Sequence, residues 1–144
     1  MVCRSGETLR QWWTIRSDVE VTTLLRALAG FTGVSNATAI VVPRLLLPDE
    51  LQCFSLTDLV DTEVRGETEL EGRRCHHIAA HHPGFDCPYE IWIERDSLLL
   101  LRTFRHSTRA ADLTGLVTDY APSTPATIDP ALFDTESLRY DRMG

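Results

Sequence analysis

The run Gly72-Arg73-Arg74-Cys75-His76-His77-Ile78-Ala79-Ala80-His81-His82-Pro83-Gly84-Phe85-Asp86-Cys87-Pro88-Tyr89-Glu90-Ile91-Trp92-Ile93-Glu94 decides the fold. In its second half Tyr89, Ile91 and Ile93 alternate with Glu90, Trp92 and Glu94. That period of two belongs to a strand with Tyr89, Ile91 and Ile93 on one face. His82-Pro83-Gly84-Phe85-Asp86 reads as a turn, and Arg73 to His82 before it as the partner strand. Two strands joined by so short a turn run antiparallel. Upstream, Val64, Thr68 and Leu70 alternate with Arg65, Glu67 and Glu69, and Glu71-Gly72 suits a tight hairpin. Downstream, Arg95-Asp96-Ser97 turns again, Leu98 to His106 goes back, and Leu113 to Tyr120 is a last strand. Strand after strand joined by short turns predicts an antiparallel meander.

The N-terminal third reads differently. Leu9 to Arg16 alternates as a half-buried strand, with Leu9, Trp13 and Ile15 on one face. Ser17-Asp18-Val19-Glu20 has capping-box spacing. Behind it Val21, Leu24, Leu25 and Leu28 form one apolar helical stripe. The pattern predicts a helix from Ser17 to about Ala29, ended at Gly30 or Gly33. In residues 35–52, Pro43 and Pro48 interrupt apolar runs, which predicts two short helical pieces or a helix and a loop. The tail carries Pro122, Pro125 and Pro130, with Phe133 and Leu138 as anchors. The expected architecture is one α+β domain over 1–144, a curved antiparallel sheet covered on one side by one or two helices.

Composition narrows the function. At 144 residues the chain has the size of one average domain. Its net charge is -7, and no Arg-rich face stands out, so nucleic acid is a poor partner. No apolar window approaches the ~20 residues of a transmembrane helix. No apolar segment follows Met1, so no secretory signal is visible. Cys3, Cys53, Cys75 and Cys87 include no Cys-x-x-Cys pair, which argues against zinc or a dithiol redox site.

Five histidines, His76, His77, His81, His82 and His106, invite a metal reading. On a strand His77 and His81 share a face but lie about 13 Å apart at ~3.3 Å per residue. A site would need His106 or a carboxylate from the next strand; solvated or turn-flanking histidines are the ordinary reading. Cys87 beside Asp86 could be a thiol nucleophile, yet no Cys motif surrounds it. A hairpin centred near Gly84 would set His81 opposite Cys87 and Cys75 opposite about residue 93, which disfavours a 75–87 disulfide. No nucleophile elbow, phosphate loop or dinucleotide fingerprint occurs. Glu67, Glu69 and Glu71 fall on one strand face, where carboxylates are normally just solvated. Trp92 alternates with Glu90 and Glu94 and so faces away from Ile91 and Ile93. A sheet apolar on both faces needs cover on both, or keeps an apolar surface for a ligand.

The segments Gly72-Arg73-Arg74-Cys75-His76-His77-Ile78, Tyr89-Glu90-Ile91-Trp92-Ile93-Glu94 and Leu98 to Arg102 resemble the strand-and-turn pattern of the LolA-like superfamily, which includes periplasmic lipoprotein carriers and outer-membrane lipoprotein receptors. Leu116-Val117-Thr118-Asp119-Tyr120 and Ile128-Asp129-Pro130-Ala131-Leu132-Phe133 resemble its closing strand and tail. The resemblance covers about residues 60–135. It implies an incomplete antiparallel β-barrel with helices over its open side and a cavity for acyl chains. It implies a non-enzymatic binding domain, without catalytic residues, cofactor or metal, that holds a lipid or a protein partner. The implied wall is Trp13, Ile15, Leu24, Leu28, Ile78, Ile91 and Ile93; the same residues also suit a plain core. No residue matches a carrier's ligand-contacting position, so lipoprotein transport is not carried over.

Two further readings of other classes stand beside it: a hydrolase or metal enzyme built on the His/Cys-rich stretch from 75 to 87, and a structural module. By the family layout the chain starts near the middle, lacking the first helix and strands. Met1 is then not the natural start, and the compartment is periplasmic or extracellular. If Met1 is the true start, the compartment is cytoplasmic and an open sheet edge near Leu9 to Arg16 seeks a partner strand, including a second copy.

Overall fold

A computed structural model describes residues 2–5, 8–13, 16–21, 23–35, 37–84, 87–107, 115–122 and 127, with backbone alone for 2–21 and Val34. The chain divides into two compact units, Met1–Phe54 with Pro125–Gly144, and Ser55–Thr124.

In the first unit β1 (Val2–Ser5), β2 (Thr8–Trp13) and β3 (Arg16–Val21) form an antiparallel three-stranded sheet in that order. Leu9 lies opposite Arg4 on one side and Val21 on the other. The strand expected at Leu9 to Arg16 is β2 only as far as Trp13, where it is central and paired on both sides, and Arg16 instead begins β3. Residues 16–21 are also extended, not the first turns of a helix. They alternate as well as they box, and β-branched Val19 and Val21 favour the pleated alternative once β2 is there to pair.

Helix α1 (Leu24–Val34) is capped instead by Thr23, whose Oγ1 accepts from Arg26 N at 3.2 Å. It runs through Gly30 and Gly33. Its inner side is Ala27 and Leu28, buried, with Leu24 and Phe31 half-buried, while Leu25 is 39% exposed. The working stripe thus starts at Leu24, one turn later than the sequence pattern suggested. A 3-10 turn (Thr38–Ile40) leads into α2 (Val41–Leu46), the first of the two arrangements expected. Pro43 sits in the first turn of α2, where amides lack helical partners anyway. Arg44 ties the following loop, its Nε donating to Cys53 O at 2.7 Å, around the fully buried Leu51.

The second unit opens with a 3-10 turn (Leu56–Asp58) held by a Ser55–Asp58 capping box. Then come β4 (Val60–Leu70), β5 (Arg73–His81), β6 (Pro88–Glu94), β7 (Leu100–Arg105) and β8 (Leu116–Asp119). They make a five-stranded antiparallel sheet in chain order, not closed on itself. The strands shorten along the chain: 11, 9, 7, 6 and 4 residues.

Glu71 (φ 52) and Gly72 (φ 79) make the tight turn between Leu70 and Arg73, the left-handed pair such a hairpin needs. Glu71 is therefore a turn residue and does not share a strand face with Glu67 and Glu69. The register of β4 also shifts between Val64 and Gly66. Val64 lies opposite Ile78 while Gly66 and Thr68 lie opposite His77 and Cys75, so Val64 sits on the other face from Thr68 and Leu70. The β5–β6 hairpin pairs His81 with Pro88 and Cys75 with Glu94, one residue beyond the expected register, closed by His82 N donating to Cys87 O at 3.1 Å. Cys53, Cys75 and Cys87 are free thiols. The last strand begins at Leu116; residues 113 and 114 of its expected span lie outside the described residues. Among the described residues no helix is long and apolar enough to cross a membrane. The architecture is α+β.

Candidate functional site

The five-stranded sheet has two chemically different faces. Residues directly opposite each other across strands share a face, so the register assigns them. One face carries His77 on β5, Glu90 and Trp92 on β6, Arg102 and Phe104 on β7, and Val117 and Asp119 on β8. Glu90 is its centre. His77 Nε2 meets Glu90 Oε2 at 2.8 Å, and His106 Nε2 meets Oε1 at 2.8 Å. His77 stacks flat on Trp92, centroids 4.7 Å apart, and the His106 ring lies 4.3 Å from that of Phe104. Desolvation pushes the Glu90 carboxyl up, but the hydrogen bonds from His106 and His77 outweigh it and hold it below its ordinary value.

The carboxylate and the second histidine that a metal reading required are both present, yet they do not make a metal centre. His77 is level with Trp92 and His106 with Pro88, on opposite sides of Glu90. With about 3.3 Å per residue and about 4.8 Å between strands, their backbones stand on the order of 16 Å apart. The two side chains nonetheless bridge that span to converge on Glu90, and each imidazole is spent as the hydrogen-bond partner of one carboxylate oxygen. Among the described residues no group of three His, Cys, Asp or Glu could hold a metal ion. The flanking charges are paired too. Arg73 grips Glu94 with two bonds of 2.6 and 2.7 Å, Ser97 Oγ donates to Glu94, and Arg102 bonds Asp119.

Cys75 and Cys87 sit in different settings. Cys75 is fully buried, and burial pushes its thiol up, so the reactive thiolate is disfavoured. Cys87 Sγ donates to His106 O at 3.2 Å, and Asp86 lies outside the described residues. Of the remaining histidines, His81 is exposed, His82 Nδ1 accepts from Gly84 N at 3.0 Å, and His76 lies on the opposite face. Glu67, expected to be merely solvated, receives Arg74 at 2.8 Å and Arg95 at 3.3 Å; these hold its carboxyl low.

The second face is apolar at its centre. Ile78 lies opposite Ile91, Ile91 opposite Thr103, and Thr103 opposite Thr118. Ala80, Ile91, Leu101 and Thr103 are buried. Of the predicted wall, Ile78, Ile91 and Ile93 share this face. Leu24 and Leu28 share the inner side of α1 in the first unit, Trp13 is placed by its backbone on β2, and Ile15 lies outside the described residues.

The sequence pattern missed the polar margin of this face. Tyr89 lies opposite Arg105, which hydrogen-bonds it, and burial pushes the Tyr89 phenol up. Tyr120, whose amide donates to Leu101 O at 2.8 Å, has its phenol pushed up by burial, with a hydrogen bond to the Thr103 side chain acting the other way. The available signal was the alternation Leu101, Thr103, Arg105, which puts a hydroxyl and a guanidinium on an apolar face. Comparison with known protein families, curated proteins and solved structures finds no match for this chain.

Proposed function

We propose that the chain is a non-enzymatic binding domain that holds an apolar ligand, a lipid or acyl chain, against its five-stranded sheet. In this reading the sheet serves as the half-barrel of a LolA-like domain in an exported bacterial protein. The observation that carries it is the convergence of Ile78, Ile91 and Ile93 on one face of an antiparallel sheet whose other face is closed by its own ion pairs. Buried hydrocarbon of this kind supplies about 25 cal/mol for each Å² it removes from water, whether its cover is protein or ligand. Native mass spectrometry of freshly purified protein tests the proposal. A co-purified lipid, or saturable binding of a fluorescent fatty acid, is expected. A bare mass together with no fatty-acid binding would make the trio plain core.

A further inference from the structure

We propose that two copies of this chain pair along β4, edge against edge, so that the five-stranded sheet of one continues into that of the other. The proposal is independent of the ligand reading, which concerns the centre of a sheet face and not its rim. Three observations lead to it.

The first is an open edge. β4 is the longest strand of the sheet, and β5 is its only neighbour in that sheet among the described residues. Ten of its eleven residues are exposed. A strand at an edge carries a row of backbone N–H and C=O groups that a further strand can pair.

The second is the place of Val64. It lies opposite Ile78, which lies opposite Ile91, so it is the outer end of the apolar row. Ile91 is 7% exposed at the centre of the sheet, and Val64 is 65% exposed at its rim. A second β4, antiparallel and related by a two-fold axis through Val64, sets the two copies of Val64 against each other. Opposed residues share a face, so the apolar row runs on into the second copy.

The third is charge. About that axis, Glu63 of each copy falls opposite Arg65 of the other. The two side chains already share a face, with Arg65 Nη2 at 3.2 Å from Glu63, and both are more than half exposed. Pairing joins two glutamates and two arginines into one alternating ring. An axis through Glu63 would oppose Glu63 to itself, and an axis through Arg65 would oppose Glu63 to Glu67. Like charges directly opposite are destabilising, so charge and apolar contact choose the same register. In that register Asp61 falls level with Glu67. The register of β4 breaks on both sides of Val64, however, with Asp61 at φ 51 and Gly66 at φ 126, and such breaks bend a strand. The paired stretch is therefore short, residues 62–66, and Asp61 and Glu67 lie beyond it. So short a pairing buries far less than the ~1,200 Å² of a stable interface, which makes the dimer weak and concentration-dependent.

Sedimentation velocity of the full chain tests the pairing, in about 0.15 M salt to screen the net charge of -7 on each copy. The average mass is expected to rise from that of one chain toward that of two between about 10 μM and about 1 mM. Glu63→Arg alone and Arg65→Glu alone each set like charges opposite one another, and each should weaken association at least about tenfold, or about 1.4 kcal/mol. Mixed in equal amounts, the two variants restore opposite charges at both positions and should associate as a heterodimer. Circular dichroism checks the fold of each variant. If a charge variant fails to fold, Val64→Lys takes its place and should also keep the chain monomeric. A wild type that stays monomeric to about 1 mM overturns the proposal, since that range covers weak complexes. Association that survives the single variants, or a mixture no more associated than its parts, overturns it as well.

Discussion

Glu90 takes one imidazole on each carboxylate oxygen, and that arrangement fixes how the protein should respond to acid. Its folded carboxyl is held below the ordinary value of 4.5. In the unfolded chain it protonates at the ordinary value. The folded state therefore gains stability from the ionised group above that range and loses it as pH falls through the depressed folded value. Glu90→Gln should flatten the acid limb of a melting-temperature profile taken from roughly pH 7 to roughly pH 3. An acid limb as steep as that of the wild type would contradict the account. Leu98 gives a prediction of opposite sign. It occupies the left-handed region at φ 57 in the β6–β7 turn, and its side chain is 70% exposed. A side chain there costs about 1–2 kcal/mol and little packing offsets it, so Leu98→Gly should stabilise by about 1 kcal/mol, or about 3 °C in melting temperature. A lower melting temperature would show that Leu98 makes contacts worth more than the strain.

At the scale of elements, α1 should depend on Thr23. Thr23→Ala is expected to cost about 1 kcal/mol and Thr23→Asp almost nothing, read by denaturant titration. An unchanged midpoint for Thr23→Ala would mean that the helix starts elsewhere. The strand β8 depends on a missing side chain. A Cβ at Gly115 would run into the Arg105 carbonyl and the Phe104 ring. Gly115→Ala should loosen the β7–β8 pairing and speed amide exchange at Tyr120, whose amide bonds Leu101 O. These elements also mark where sequence reading succeeds and stops. Period-two alternation placed β5, β6 and β7, and Glu71-Gly72 placed the turn from β4 into β5, because those signals are local. Ser17 to Glu20 satisfies a capping box and a strand equally well, and only pairing with β2 decides between them. The shift at Gly66 reverses the phase of β4 with no mark but the glycine itself, at φ 126. The meeting of His77 and His106 on Glu90 needs the register of three strands at once, including a hairpin that closes one residue later than its turn suggests.

For the whole molecule, Cys75 is an internal clock of opening. It is fully buried, whereas Cys53 is half-buried. With excess alkylating reagent and peptide mass spectrometry, Cys53 should react in the native state, and Cys75 only as fast as the sheet opens. Equal rates at the two thiols would mean that the centre of the second unit is already accessible.

The steady shortening of the strands from β4 to β8 has a consequence for synthesis. Within this sheet the two longest strands leave the ribosome first, and they form a hairpin that needs no later part of the chain. Each following strand is shorter than the edge already laid down, and it joins that edge through a local turn or a modest loop. At about 5–20 residues per second, the sheet can be assembled in the order in which it is translated, with no pairing held open for a distant segment. The nascent chain therefore exposes one unfinished edge at a time, and the last strand added has the fewest bonds to break when the finished sheet begins to fray.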